Sequence, residues 1–151
     1  MESLFKLAKP ADIEILTELI REFYAHEQMD FDRQAVFSTL EQIVSNNIYG
    51  YIYLIDMNHK IIGYFAIMFS FSLEYHGQNA ILDELYIREP YRRQGIGKKV
   101  IQFVIDICRK KGIKALHLEV DRKNTKAQSL YNKVGFINSH RYLMSKWLSV
   151  D

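Results

Sequence analysis

Six consecutive residues, Arg92, Arg93, Gln94, Gly95, Ile96 and Gly97, have the composition of a phosphate-holding loop. Glycines at 95 and 97 would let a ligand approach the backbone where a Cβ would collide. If a helix begins at about Gly97, its first-turn amides have no internal partner and the helix dipole adds partial positive charge there. Arg92, Arg93, Lys98 and Lys99 add further positive charge. A ligand carrying a pyrophosphate suits such a loop.

Three phosphate-loop patterns can be compared with it. A P-loop needs Gly, four residues, then Gly-Lys-Ser/Thr; position 92 is Arg, and Gly97 and Lys98 are followed by Lys99. A dinucleotide fingerprint needs Gly-x-Gly-x-x-Gly, and position 100 is Val. The pattern Arg/Gln-x-x-Gly-x-Gly/Ala is met by Arg92, Gly95 and Gly97. Before the loop stand Asp83, Glu84, Leu85, Tyr86, Ile87, Arg88, Glu89, Pro90 and Tyr91. After it come Leu118, Glu119 and Val120, then Asn124, Ala127, Leu130, Tyr131, Gly135 and Phe136. From about residue 81 to 136 this succession resembles the GNAT superfamily of N-acetyltransferases, and the amino-terminal half is compatible with it.

The resemblance implies an α/β fold of that superfamily: a mixed α+β sheet, central, twisted and mostly antiparallel, with splayed middle strands and about four flanking helices. It implies acetyl-CoA as cosubstrate, with the pyrophosphate on the loop amides from Arg93 to Lys98. Pantetheine would lie along the backbone of Leu85, Tyr86 and Ile87, with Asn124, Ala127 and Tyr131 contributing downstream. Asn is also a favoured helix N-cap, and both roles can hold at Asn124. Tyr131 matches the tyrosine that similar enzymes place near the thioester sulfur, where a phenol can donate a proton to the leaving thiolate. An alkyl ammonium has a pKa near 10 and attacks only when neutral, so a base is needed. Glu84 is the leading candidate for that base. Asp83 would point to the opposite face of a regular strand, and Glu119 and His117 are alternatives.

The resemblance implies an amine acceptor, and the candidates for its pocket are Tyr24, His26, Glu27, Phe31, Glu74, Asp83 and Glu119. Aromatic walls with carboxylates suit a cation. This favours a polyamine, a diamine or an aminoglycoside-like molecule over a protein amino terminus or lysine. Two readings of another class stay open. One is a domain that binds acetyl-CoA without catalysis. The other is a nucleic-acid binder using Arg92, Arg93, Lys98, Lys99, Lys110 and Lys111; a net charge of +2 does not argue for nucleic acid.

The elements that must position these residues follow from periodicity. Residues 3–6 suit a short strand. Pro10 and Asp12 open a helix carrying Ile13, Leu16, Leu19, Ile20 and Phe23 at three- and four-residue spacing, and a second helix begins at Asp32. Residues 50–56 and 61–71 read as a hairpin around Asn58, His59 and Lys60, followed by a strand over 80–87. A helix over 97–111, a strand over 114–120, a helix over 125–134 and a sheet-closing segment over 136–147 complete the order.

With 151 residues, 48% hydrophobic and 25% charged, the chain reads as one ordinary domain spanning 1–151. No apolar run approaches the roughly 18–20 residues of a membrane span, and residues 1–6 lack the layout of a secretory signal. The single cysteine, Cys108, excludes a disulfide framework and reads as a core thiol. The five histidines show no metal-ligand spacing, so no metal is expected. These features suit a cytoplasmic protein. The aromatic stretch 142–148 could serve a homodimer or complete the sheet.

Overall fold

The computed structural model describes residues 4–148. Ser3, at the start of the expected first strand, lies outside them. The residues up to Glu119 and those from Val120 onward form two compact units.

In the first unit, β1 (Phe5–Leu7) leads through a 3-10 turn at Pro10–Asp12 into helix α1 (Ile13–His26). The Lys9 amide donates to the Asp12 carboxylate at 2.8 Å, which fixes that turn. Helix α2 (Arg33–Asn46) is capped by Asp32, whose carboxylate accepts the Ala35 amide at 3.1 Å. Strands β2 (Gly50–Met57) and β3 (Lys60–Ser72) form the expected hairpin. Its two turn residues, Asn58 and His59, both have positive φ (52° and 67°), the twist that joins tightly coupled strands. Strand β4 (Gly77–Ile87) follows, then helix α3 (Ile96–Lys110) and strand β5 (Leu116–Leu118).

The sheet order is β1-β2-β3-β4-β5, antiparallel except for the parallel pair β4–β5. Alternation along β3 divides the core. Tyr64 and Ala66 join Ile52 and Leu54 under α1 and α2, in one buried cluster with Leu16, Leu19, Leu40 and Ile43. Phe65 faces the other side, where its ring meets those of Phe5, Tyr53 and Phe103 of α3 at centroid distances of 5.2, 5.2 and 6.0 Å. Each such aromatic pair contributes about 0.5–1.5 kcal/mol beyond its area. Cys108 is buried on α3, and burial pushes its thiol pKa up, as an inert core thiol requires.

One irregularity organises the sheet. The β3–β4 register runs Ala66 against Glu84 but Ile67 against Leu82, so Asp83 is an extra residue in β4. This β-bulge resets the alternation: Leu82 pairs with Ile67 on the α3 side, whereas Glu84 pairs with Ala66 on the α1 side. The parallel pairing with β5 stops at Leu82, next to the bulge, and β4 runs on to Ile87 without a strand partner on that side among the described residues. This is the splay between the middle strands that the resemblance implied. It also explains why β5 is shorter than the expected 114–120.

The second unit contains helix α4 (Thr125–Lys133), capped by Asn124, whose Oδ1 accepts the Ala127 amide at 3.1 Å. The expected sheet-closing strand over 136–147 is corrected by the structure: among the described residues 136–148 none is in a strand. Ile137, Tyr142, Leu143, Met144, Trp147 and Leu148 are exposed. Apolar and aromatic residues make a segment able to pair, but a strand exists only where a second backbone supplies the ladder.

Gly63 lies opposite Ile87, and a Cβ there would stand 2.2 Å from the Tyr86 carbonyl oxygen. Gly63→Ala is therefore expected to lower stability by at least about 1–3 kcal/mol through forced separation of β3 and β4. Urea denaturation read as a fall in midpoint at constant slope checks this.

Candidate active site

Glu84 is the centre of the first unit's polar chemistry. Its Oε2 accepts the Tyr24 hydroxyl at 2.6 Å and its Oε1 accepts the Tyr64 hydroxyl at 2.7 Å. Tyr24 comes from the last turns of α1 and Tyr64 from the middle of β3, and the bulge brings Glu84 to the face they share. Burial raises the Glu84 pKa, and the two phenol hydrogen bonds oppose that rise. Burial, reinforced by the neighbouring carboxylate, also raises both phenol pKa values, so the tyrosines stay protonated as donors.

Around this group the structure gathers some of the expected acceptor residues and separates others. Phe31 stands edge-on to Tyr24, with ring centroids 6.2 Å apart. Asp83 is adjacent in the bulge, its pKa raised first by burial and then by the charge of Glu119. The bulge removes the simple expectation that Asp83 and Glu84 point to opposite faces, because that rule holds only for a regular strand. His26 and Glu27 sit exposed at the end of α1 and pair with each other at 3.5 Å. Glu74 lies in the turn that closes the β3–β4 hairpin. The ladder from Ser72 to Ala66 is six residues, so Glu74 is about 20 Å along the strands from Glu84.

Two groups escaped the sequence reading. One is Tyr64, whose part depends on the β3–β4 register. The other is a network at the exit of β4. Arg88 holds Glu22 of α1 through Nε at 3.0 Å and a terminal nitrogen at 2.7 Å, and the Tyr86 hydroxyl donates to the same carboxylate at 3.1 Å. The Arg88 hydrogen bond holds the Glu22 pKa below the usual carboxylate range. No short motif marks either group, since the partners are 20 to 66 residues apart. Alternating aromatics in β3 were the available hint.

The loop follows that network. The Arg88 amide bonds to the Ile62 carbonyl at 2.8 Å, so Arg88 and Tyr86 turn their backbone groups toward β3. Leu85 and Ile87 accordingly direct theirs to the open side of β4. Arg92 folds back: its Nε donates to the Ile87 carbonyl at 2.6 Å, and its guanidinium lies 5.6 Å from the Tyr86 ring centroid. Arg93 and Gly95 have left-handed backbone, φ 65° and 78°. The first bond of α3 runs from the Lys99 amide to the Gly95 carbonyl at 3.2 Å. The amides of Ile96, Gly97 and Lys98 therefore precede the helical ladder. A Cβ built on Gly97 meets nothing within 4 Å, and its φ is not left-handed. Neither packing nor backbone demands glycine at 97, which is what a site reserved for close ligand approach looks like.

In the second unit Asn124 uses Oδ1 for its cap, which leaves the amide nitrogen as a donor. With Ala127, Lys126 and Lys133 it lines an open groove along α4. Tyr131 is half-buried, with its ring 6.1 Å from that of Phe136, and burial raises its pKa.

Comparison with known proteins decides the family. The model of the acetyltransferase (GNAT) family matches residues 13–136. The chain belongs to the GNAT acetyltransferase family. Among GNAT relatives, thialysine N-epsilon-acetyltransferase of Bos taurus is 37% identical over 75 residues, 50% of this chain. Those residues span only 44% of that relative's length. D-amino-acid N-acetyltransferase of Saccharomyces cerevisiae is 25% identical over 134 residues, covering 87% of this chain and 83% of the relative. Among solved structures, an integron cassette protein from the mobile metagenome of Cole Harbour Salt Marsh superposes with a TM-score of 0.85. It is 26% identical and covers 98% of this chain and 92% of its own. The expected GNAT fold, with a five-stranded mixed sheet and four α-helices among the described residues, stands on these likenesses and on the strand order.

The two loop glycines should respond oppositely to alanine. Gly95→Ala places a Cβ in left-handed backbone and is expected to cost about 1–2 kcal/mol. Gly97→Ala, in the first helical turn and facing open space, should raise stability by up to about 1 kcal/mol. Thermal unfolding of the two variants checks the pair; a destabilised Gly97→Ala would mean that the protein itself requires that glycine.

Proposed function

We propose that this protein is an N-acetyltransferase that transfers the acetyl group of acetyl-CoA to a primary amine by direct attack in a ternary complex. The observation that carries the reading is the half-buried Glu84 carboxylate on β4, which accepts hydroxyls from α1 and β3 in a chain that belongs to the GNAT family. The cosubstrate fits the residues present. The unpaired amides at 96–98, the open space over Gly97 and the outward backbone of Leu85 and Ile87 supply donors for a pyrophosphate and a ladder edge for an amide-bearing arm.

Acetyl-CoA supplies the thioester carbon that the amine nitrogen attacks, forming the amide C–N bond as the C–S bond breaks. Glu84 takes a proton from the acceptor ammonium, leaving its lone pair free to attack. Tyr131 gives the phenol proton to the departing thiolate, a role assigned from the resemblance, and solvent restores both groups. Names among the relatives, thialysine and D-amino acids, point to small molecules bearing an amine. We extend this to a small cationic amine. The aromatic ring of Phe31, the Tyr24 hydroxyl and the carboxylates of Asp83 and Glu84 support the choice. The proposed setting is the cytoplasm; no helix among the described residues is long and apolar enough to cross a membrane.

Calorimetry should show acetyl-CoA binding below millimolar concentration, with Gly97→Ala binding more weakly than wild type. Thiol release measured over a panel of diamines, polyamines, amino acids and aminoglycosides should follow. Binding with no release on any amine would make the protein a sensor of acetyl-CoA. Absence of binding would sink the reading.

Glu84→Gln should lower turnover about 100-fold, the scale of a lost general base. Its melting temperature should stay level or rise, because a buried carboxylate is exchanged for a neutral amide. Tyr131→Phe should reduce kcat by a similar factor. Unchanged turnover in either variant would remove that residue from the mechanism.

A further inference from the structure

Each oxygen of the Glu84 carboxylate accepts one phenol hydroxyl, and the two donors have different surroundings. Tyr64 is 1% exposed and fixed in the core between β3 and α1. Tyr24 is half-buried, and its ring reaches Phe31 in the segment between α1 and α2. The separations of 2.6 and 2.7 Å are those of well-formed O–H···O hydrogen bonds. A carboxylate has about four acceptor positions, so two remain for an incoming proton after both phenols have bonded. Tyr64 is sealed in the core, and Tyr24 is the more accessible of the two donors.

We propose that Tyr24 and Tyr64 are positioning residues for Glu84, fixing the plane of its carboxylate and keeping it ionised in a setting that otherwise favours the neutral acid. This rests on the reading of Glu84 as the base and deepens it: burial and Asp83 of its own strand push its pKa up, and the donors that hold it down come from α1 and β3. The titratable groups facing Glu84 are Tyr24 from α1, Tyr64 from β3 and Asp83 on its own strand; Glu119, beyond β5, acts on Asp83. The sign follows from these neighbours. Burial raises the Glu84 pKa and the phenols hold it down, so removing one phenol lets it rise further. The active, ionised form is then lost at a higher pH as pH falls.

The test uses the whole protein labelled with 13C at the glutamate side-chain carboxyl carbon. Glu84→Gln identifies the Glu84 resonance, and its titration midpoint is followed in wild type and in Tyr24→Phe. Tyr24→Phe removes one oxygen from a partly buried ring and is the primary variant; Tyr64→Phe repeats the measurement in the core if its circular dichroism matches wild type. The expected result is an upward midpoint shift of about one unit in Tyr24→Phe, the equivalent of one hydrogen bond to a charged group. The acidic limb of kcat/KM should move by the same amount, with a larger loss at low pH than at high pH. An unmoved midpoint, or an equal loss of activity at every pH, would overturn the positioning role. The NMR midpoint reports on Glu84 whether or not it is the base. Failure of the clamp is thereby distinct from failure of the base assignment, which would appear as full activity in Glu84→Gln.

Discussion

The extra residue at Asp83 is the constraint on which the rest of the first unit turns. A strand alternates its side chains and its backbone groups with period two, and one inserted residue shifts both alternations beyond it. Above the bulge, Leu82 packs toward α3 and β4 pairs in parallel with β5. Below it, Glu84 faces α1, and the backbone of Leu85 and Ile87 faces a side with no strand partner among the described residues. A single register change thus places a carboxylate among tyrosines and opens a strand edge toward the loop at 92–98.

The groups around β4 share the task of holding these two features together. Glu22 and Arg88 join α1 to the end of β4, and Tyr86 links that ion pair to Arg92, which in turn caps the Ile87 carbonyl. The pair is about a quarter exposed, so its charges interact more strongly than a surface pair would. The helix that carries Tyr24 to Glu84 is therefore also tied, two turns of chemistry away, to the loop that precedes α3. Gly63 permits the close approach of β3 and β4 at the same level.

Burial and hydrogen bonding act on Glu84 in opposite directions, and this balance suits a base better than either effect alone. A fully solvated glutamate near pKa 4.3 is a weak proton acceptor at neutral pH. One buried without donors would be neutral there. Two phenols whose own pKa values are raised cannot surrender their protons to the carboxylate, so they act as fixed donors. Under the proposed function the loop would rely on a similar economy, because amides already fixed at a helix start need no reorganisation to meet an anion.

The sequence by itself determined most of the elements and pointed to the family: helical spacing marked α1, Asp32 marked the cap of α2, Asn58 marked the hairpin turn, and Arg92, Gly95 and Gly97 marked the loop. These are local signals, written in side-chain periodicity and backbone preference within a few residues. Glu84 was singled out from its resemblance to similar enzymes, but its two tyrosines were not both foreseen. Tyr24 was named for the acceptor pocket; Tyr64 was not named at all. Their meeting depends on a register between strands 20 residues apart and on a helix 60 residues away. The bulge is invisible in a single strand because it exists only relative to its partner, and the short β5 follows from it. The segment over 136–148 shows the converse: a composition suited to a strand does not become one without a backbone to pair with. Only the tertiary structure decided these points, because pairing, burial and the pKa shifts they cause are properties of the partners that folding brings together.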